Sequence, residues 1–174
     1  MKVFEGQGRE VFEKFKNETQ ERAFKLETLQ YYAEDADDPS LKKWLNGDKN
    51  ESIRLLGGNA KERSGWWPKD EKIKKTRIHI IEYPLSEYIK WEIEAYRYVN
   101  IPYCGEEVYL LDSKHMDEYQ NIPEGWIYDD NRAVIINYDK NGKVLGFETY
   151  EGDEVKPFIN LRERLLKLPL EEIK

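Results

Sequence analysis

From Arg9 to Thr19 the apolar residues Val11, Phe12 and Phe15 fall at helical spacing, which predicts a helix. Phe24, Leu26 and Thr28 then alternate with Lys25, Glu27 and Leu29, the period of a strand. Acidic turn residues from Asp35 to Asp38 end it. Asp38-Pro39 opens a short helix, with Asp as the cap and Pro at the first helical position. Leu41, Trp44 and Leu45 form its buried face, and Gly47 suits a left-handed stop. No period is legible from Asp48 to Asp70, where Gly57-Gly58, Ser64-Gly65 and Pro68 predict a long loop over 48–70. Ile73 to Glu82 reads as a strand, with Ile78, Ile80 and Ile81 buried on both faces near its end. Pro84 starts the longest helix, which runs to about Tyr98. A strand at Glu107 to Leu111 completes a strand–helix–strand unit, a connection that favours a parallel pair.

The last third predicts a three-stranded antiparallel meander at Trp126–Tyr128, Arg132–Tyr138 and Val144–Tyr150. Its turns are Asp129-Asp130-Asn131 and Asp139-Lys140-Asn141-Gly142, the second supplying a glycine for positive φ. Asp153 is expected to cap a C-terminal helix to about Leu168, with Pro157 in its first turn. This order implies an α/β or α+β fold: one domain over 1–174, with a core from about 9 to 168, a mixed sheet and packed helices.

Two helices break their own pattern. At about 100° per residue, Leu85, Tyr88, Ile89, Ile93, Ala95 and Tyr96 gather into one stripe, and Glu92 falls near its centre. A carboxylate there needs partners or a proton. In the C-terminal helix Arg162 interrupts the stripe of Val155, Phe158, Ile159, Leu165 and Leu166, and arginine cannot shed its charge. The expectation is that Glu92 and Arg162 meet, or share a network with Arg77 and His79. Two readings stand side by side: a buried pair that fixes helix register, or a polar pocket walled by Tyr88, Tyr96 and Trp126.

Composition narrows the class. The 174 residues carry 28 Lys and Arg against 35 Asp and Glu, a net charge of −7, together with 12 Tyr and 5 Trp. The aromatics argue for a packed core over disorder, and the acidic balance disfavours non-specific nucleic-acid binding. No run of about 18 apolar residues is present, so no membrane helix is expected. Met1 to Gly6 has no apolar signal core, which places the expectation in the cytoplasm. The lone Cys104 has no partner for an internal disulfide.

Other constellations have structural readings. Asp129 and Asp130, with Asp139 one hairpin away, are weak candidates for a cation but are also what β-turns require. Lys72, Lys74, Lys75 and Arg77 form a basic run that could touch phosphate, or could guard a strand edge. His79 and His115 have no ligands at metal spacing, Cys104 has no adjacent His, and the paired glycines match no phosphate loop. Neither cofactor nor catalysis is expected.

These residues resemble a family of unknown function, DUF6879, common in actinobacteria. Its N-terminal Phe-Arg-Leu-Glu-x-Leu is matched by Phe24-Lys25-Leu26-Glu27-Thr28-Leu29, with Tyr32 following. Its middle pattern is matched by Arg77-Ile78-His79-Ile80-Ile81, Pro84-Leu85-Ser86-Glu87-Tyr88, Trp91-Glu92, Asn100 and Gly105-Glu106. The late pattern resembles Tyr128-Asp129-Asp130 through Gly142 and Leu145-Gly146. The chain departs from the pattern at Gly57 to Lys74, where it is shorter and richer in Lys. The resemblance implies an accessory or regulatory role beside a helix-turn-helix regulator, through a protein partner and without chemistry of its own. The layout is also similar to one half of a phospholipase-D-like domain whose HxK signature is lacking, since Ile80-Ile81 follows His79. That similarity implies the alternative, a small-ligand or phosphodiester-binding pocket at Glu92 and Arg162.

Overall fold

The computed structural model describes residues 1–5, 9–64 and 67–174. Gly6, and Gly65 of the expected Ser64-Gly65 turn, lie outside the described residues. Among the described residues eight strands form one sheet: β1 (Lys2–Glu5), β2 (Arg22–Glu27), β3 (Lys74–Ile81), β4 (Glu106–Asp112), β5 (Gly125–Tyr128), β6 (Arg132–Tyr138), β7 (Val144–Glu151) and β8 (Leu170–Glu172). Their order is β1-β7-β6-β5-β2-β3-β4-β8. The strands β2, β3 and β4 run parallel and the other pairings are antiparallel. The mixed sheet, the parallel unit and the β5-β6-β7 meander are those the hydrophobic pattern predicts.

Helices cover both faces. They are α1 (Arg9–Glu18), α2 (Pro39–Leu45), α3 (Lys49–Gly58), α4 (Ala60–Ser64), α5 (Glu87–Ala95) and α6 (Lys156–Leu165). Asp38 caps α2 by accepting from the amides of Ser40 and Leu41, and Ser86 caps α5 by accepting from Ile89. The segment expected as a loop over 48–70 instead contains α3 and α4. Asp48 caps α3, and Ser52, Leu56 and Ala60 are buried, so tertiary burial outweighs the weak helix propensity of Gly57-Gly58. The helix expected from Pro84 to Tyr98 is regular only over α5 and continues as a π-helical segment, Tyr96–Cys104, which includes Pro102. Residues 152–155 form a 3₁₀ turn, and α6 begins at Lys156 with no side-chain cap from Asp153.

The central strands are buried on both sides, and their alternation sorts two different populations. Phe24, Leu26, Ile78, Ile80, Leu111 and Ile127 point to one face, where they pack with Val155 and Leu165 at α6. The other face carries Val108, Leu110 and Ile81 under α5 and the π-helical segment, and Ala23, Trp126, Val134 and Phe147 beneath α1. On that second face, in the middle of the sheet, stand Lys25, Glu27, Lys75, Arg77, His79 and Glu106, all at most 9% exposed.

A buried charged pocket on the sheet

Register sets the charged residues side by side. Across β2 and β3, Lys25 is level with Arg77 and Glu27 with His79. Lys25 faces Trp126 on β5, and Lys75 is level with Glu106 on β4. A desolvated charge needs a partner, and Arg77 has two. Its Nη1 donates to Glu27 at 2.5 Å, while Nε and Nη2 fork onto Glu106 at 2.7 and 3.1 Å. The guanidinium also lies 5.5 Å from the Tyr96 ring centre and 5.7 Å from that of Trp126. Burial pushes the Glu27 carboxyl up, but Arg77, Lys25, His79 and the Tyr96 hydroxyl together hold it down at about 2.

Around this pair the helices supply hydroxyl, imidazole and acid groups. Tyr96 donates to Glu27 at 2.6 Å, and its oxygen lies 2.9 Å from His79 Nδ1. His79 Nε2 lies 2.8 Å from the Leu29 carbonyl, an acceptor only, so this nitrogen carries a hydrogen. Burial pushes the His79 pKa down, against the pull of Glu27. Glu92 Oε2 is 3.5 Å from His79 Nδ1 and has no hydrogen-bond partner among the described residues. Burial raises the Glu92 pKa far above the carboxylate range, and Glu27 and Asp35 add to the rise.

A cavity of about 520 Å³ opens between this cluster and the helices. Lys25, Glu27, Arg77 and Glu106 from the sheet and Glu92, Tyr96 and Asn100 from the helical layer line it, with aromatic walls that include Trp67, Trp91, Trp126 and Tyr138. Lys25 is 5% exposed. Its Nζ is ion-paired with Glu124 Oε1 at 4.0 Å and lies over the Trp126 ring, 5.7 Å from its centre. Glu124 Oε2 accepts from the Thr28 amide at 2.7 Å and from the Tyr32 hydroxyl at 2.8 Å. At the mouth Asp35 accepts from Tyr88 at 2.5 Å; burial pushes its pKa up to about 6, with Glu34 and Asp38 contributing.

Of the residues singled out from the sequence, Arg77, Glu92, Tyr96 and Trp126 line this cavity. His79 lies behind Tyr96, and Tyr88 reaches the mouth through Asp35. Arg162 is not among them. Glu92 hangs from α5 on one face and Arg162 from α6 on the other, so the sheet separates the two. Arg162 instead forks onto Asp130 at 2.5 and 3.2 Å and reaches Glu163 at 2.9 Å. The Glu92–Arg162 pair is thus replaced by a Glu92–His79 contact.

Asp129 accepts from the amides of Gln20, Glu21 and Arg22 at 2.8–3.0 Å, so both turn carboxylates hold parts of the chain together. The basic run also differs from a surface patch. The strand β3 is interior, Arg77 is buried, and Lys75 Nζ donates to the carbonyls of Trp67, Pro68 and Cys104. Sequence reasoning missed Lys25, Glu27, Glu106 and Glu124. Lys25 and Glu27 show in the sequence only as the polar positions of an alternating strand, although both sit inside the family-like motif at Phe24 to Leu29.

The fold and site define an α/β domain with a charged, aromatic-walled pocket on one face of a mixed sheet. The chain belongs to the family described as Domain of unknown function (DUF6879), whose model matches residues 10–171. No curated protein matches it. Among solved structures it is similar to TrmBL2, an archaeal chromatin protein, at 13% identity and a TM-score of 0.45, covering 99% of this chain and 55% of that one. It is also similar to phosphatidylserine synthase of Haemophilus influenzae Rd KW20, at 11% identity and a TM-score of 0.45, covering 98% and 38%. The chain therefore spans about half of the first protein's length and under two fifths of the second's. Among the described residues no helix is long and apolar enough to cross a membrane.

Proposed function

We propose that this chain is a small-molecule-binding domain whose site is the cavity over β2, β3 and β5. One observation carries the reading: a buried polar atom on its wall, Glu92 Oε2, lacks a hydrogen bond from the described residues beside a cavity of about 520 Å³. A domain that used this face only for packing would fill it with hydrocarbon, because each unmade buried hydrogen bond costs about 1–3 kcal/mol. The volume lies within the roughly 300–1,000 Å³ of small-molecule sites. The π-helical wall fits the same reading, since such segments are rare and concentrate at functional sites.

A thermal-shift screen of a chemically broad library tests this, with the fluorescence of Trp67, Trp91 and Trp126 read in parallel. A true ligand at about a hundredfold its Kd stabilises by ~2.7 kcal/mol. The shift should vanish in Trp126→Leu. A library without a single binder, and tryptophan emission that never moves, would end the proposal.

The regulatory role expected from the family resemblance fits such a site as its input, with a protein partner reading pocket occupancy. Its support is the resemblance alone. The pocket reading rests on the cavity and the unpartnered Glu92 oxygen in its wall.

A further inference from the structure

The charges facing the cavity do not balance. Five carboxyl groups, Glu27, Glu34, Asp35, Glu92 and Glu106, face two cations, Lys25 and Arg77. Arg77 is taken by Glu27 and Glu106, and Lys25 lies 4.0 Å from Glu124 behind the wall. That leaves Glu34, Asp35 and Glu92, none of which has a Lys or Arg within ion-pair distance among the described residues. Glu92 is 8% exposed with an unpartnered oxygen. The rings nearby, Tyr32, Trp91, Tyr96 and Tyr138, offer the negative π-faces that attract ammonium groups.

We propose that the pocket's ligand is an organic cation, a primary amine or quaternary ammonium on an apolar or aromatic body, with its charge against Glu92 and Asp35 and its body along the ring wall. This rests on the ligand-binding reading above and assigns the ligand's class. A metal ion fits the same acids less well. Glu27, His79 and Glu92 present ligand-type atoms within 4.8 Å of one another, but the Tyr96 hydroxyl lies among them, and Arg77 already holds Glu27 at 2.5 Å. An anion would meet the carboxyl groups at the mouth and find Arg77 already bound.

The proposal carries a proton signature. Glu92 is surrounded by Glu27 on β2, by Arg77 and His79 on β3, by Asp35 at the mouth and by Tyr96 on the next turn. A bound cation favours its ionised form, so binding releases a proton and affinity rises with pH while the amine stays charged.

Calorimetry on the full chain with four probes tests this: phenethylamine, N-acetylphenethylamine, 3-phenylpropanoate and Zn²⁺. Phenethylamine should bind at least tenfold more tightly than the two organic analogues, tighten from pH 6 to pH 8, and release protons into the buffer. Glu92→Gln should weaken it at least tenfold and remove the pH dependence. Asp35→Asn, at the mouth, gives the same direction should Glu92→Gln fail to fold. Equal binding of the acetylated probe, tightest binding of the carboxylate, or Glu92-dependent binding of Zn²⁺ alone would each overturn the cation and leave the ligand pocket standing. If no probe binds and the broad screen is empty too, both readings fall.

Discussion

Glu92 Oε2 lies 3.5 Å from His79 Nδ1, and no hydrogen bond from the described residues reaches it. Burial, with Glu27 and Asp35, raises the pKa of this acid in the folded chain above the ordinary value of 4.5 at which the unfolded chain gives up the proton. A group whose folded pKa is raised contributes its full stability below 4.5 and loses it as pH climbs toward the folded value. The loss is about 1.4 kcal/mol per pH unit. Glutamine copies the shape of the neutral acid and cannot titrate. Glu92→Gln should therefore match the native chain near pH 5 and become progressively the more stable of the two as pH rises to 7. Urea denaturation at pH 5, 6 and 7 measures the gap; a gap that does not grow with pH would show Glu92 to be ionised.

Among the described residues Arg77 is the cation that Glu27 and Glu106 share. Removing it in Arg77→Met leaves two buried carboxylates facing each other's side of an empty place, which should cost about 3–5 kcal/mol in urea denaturation. Arg77→Lys keeps a charge but cannot fork onto Glu106 while reaching Glu27, so about 2 kcal/mol is expected. The acid limb provides a second reading. Glu27 is depressed to about 2, so its stabilisation is present above 4.5 and is lost as pH falls toward 2. Native stability should fall more steeply over that window than that of Arg77→Met. Parallel acid limbs would disconnect Glu27 from Arg77.

The parts of the fold that were legible in the sequence are those governed by neighbouring residues. Asp38-Pro39 set the start of α2, Gly142 its turn at positive φ, and the strand–helix–strand spacing the parallel β3–β4 pair. Glu92 was legible as an acid out of place on α5, because helical periodicity is a local property. Its partner was not. Which face of the sheet α6 covers depends on chain path, and a pattern that marks Arg162 as buried carries no information on the side. Lys25 and Glu27 were hidden for a related reason. Alternation of polar and apolar residues reads as one wet face, and only the helices packed on β2 reveal that both faces are dry. The three-residue β8 and the four-residue β1 are too short for any period to show.

Asp129 and Asp130 occupy a hairpin turn at φ of 48° and 55°, values that glycine or asparagine adopt more readily. The turn keeps Asp129 because its carboxylate accepts three successive amides, those of Gln20, Glu21 and Arg22, and so anchors the start of β2 beside β5. Asp129→Gly relieves the backbone and deletes the anchor; Asp129→Asn relieves it and keeps one acceptor oxygen. Hydrogen bonds to a charged group contribute about 1.5–3 kcal/mol each, so Asp129→Gly should lose at least about 2 kcal/mol despite its easier φ. Asp129→Asn should fall between it and the native chain. Thermal denaturation in which the glycine variant is the more stable would assign the turn to backbone geometry alone.

Gly142 ties the β6–β7 turn to the mouth of the pocket. Its carbonyl accepts from the Ala33 amide at 3.0 Å, and a methyl group on it would lie 2.3 Å from the Tyr31 carbonyl oxygen. The segment it presses against carries Tyr32, Glu34 and Asp35, which line the cavity. Gly47 is the control, for it has a similar φ of +85° but nothing within 4 Å of where a methyl would stand. Gly47→Ala should cost only the backbone term of about 1–2 kcal/mol. Gly142→Ala adds a collision between backbones and should cost at least about 2 kcal/mol more. Because the displaced segment is the mouth, Gly142→Ala should also weaken whatever ligand the pocket takes, while Gly47→Ala leaves that affinity unchanged. Equal thermal shifts for the two variants would mean that the turn gives way without moving the mouth.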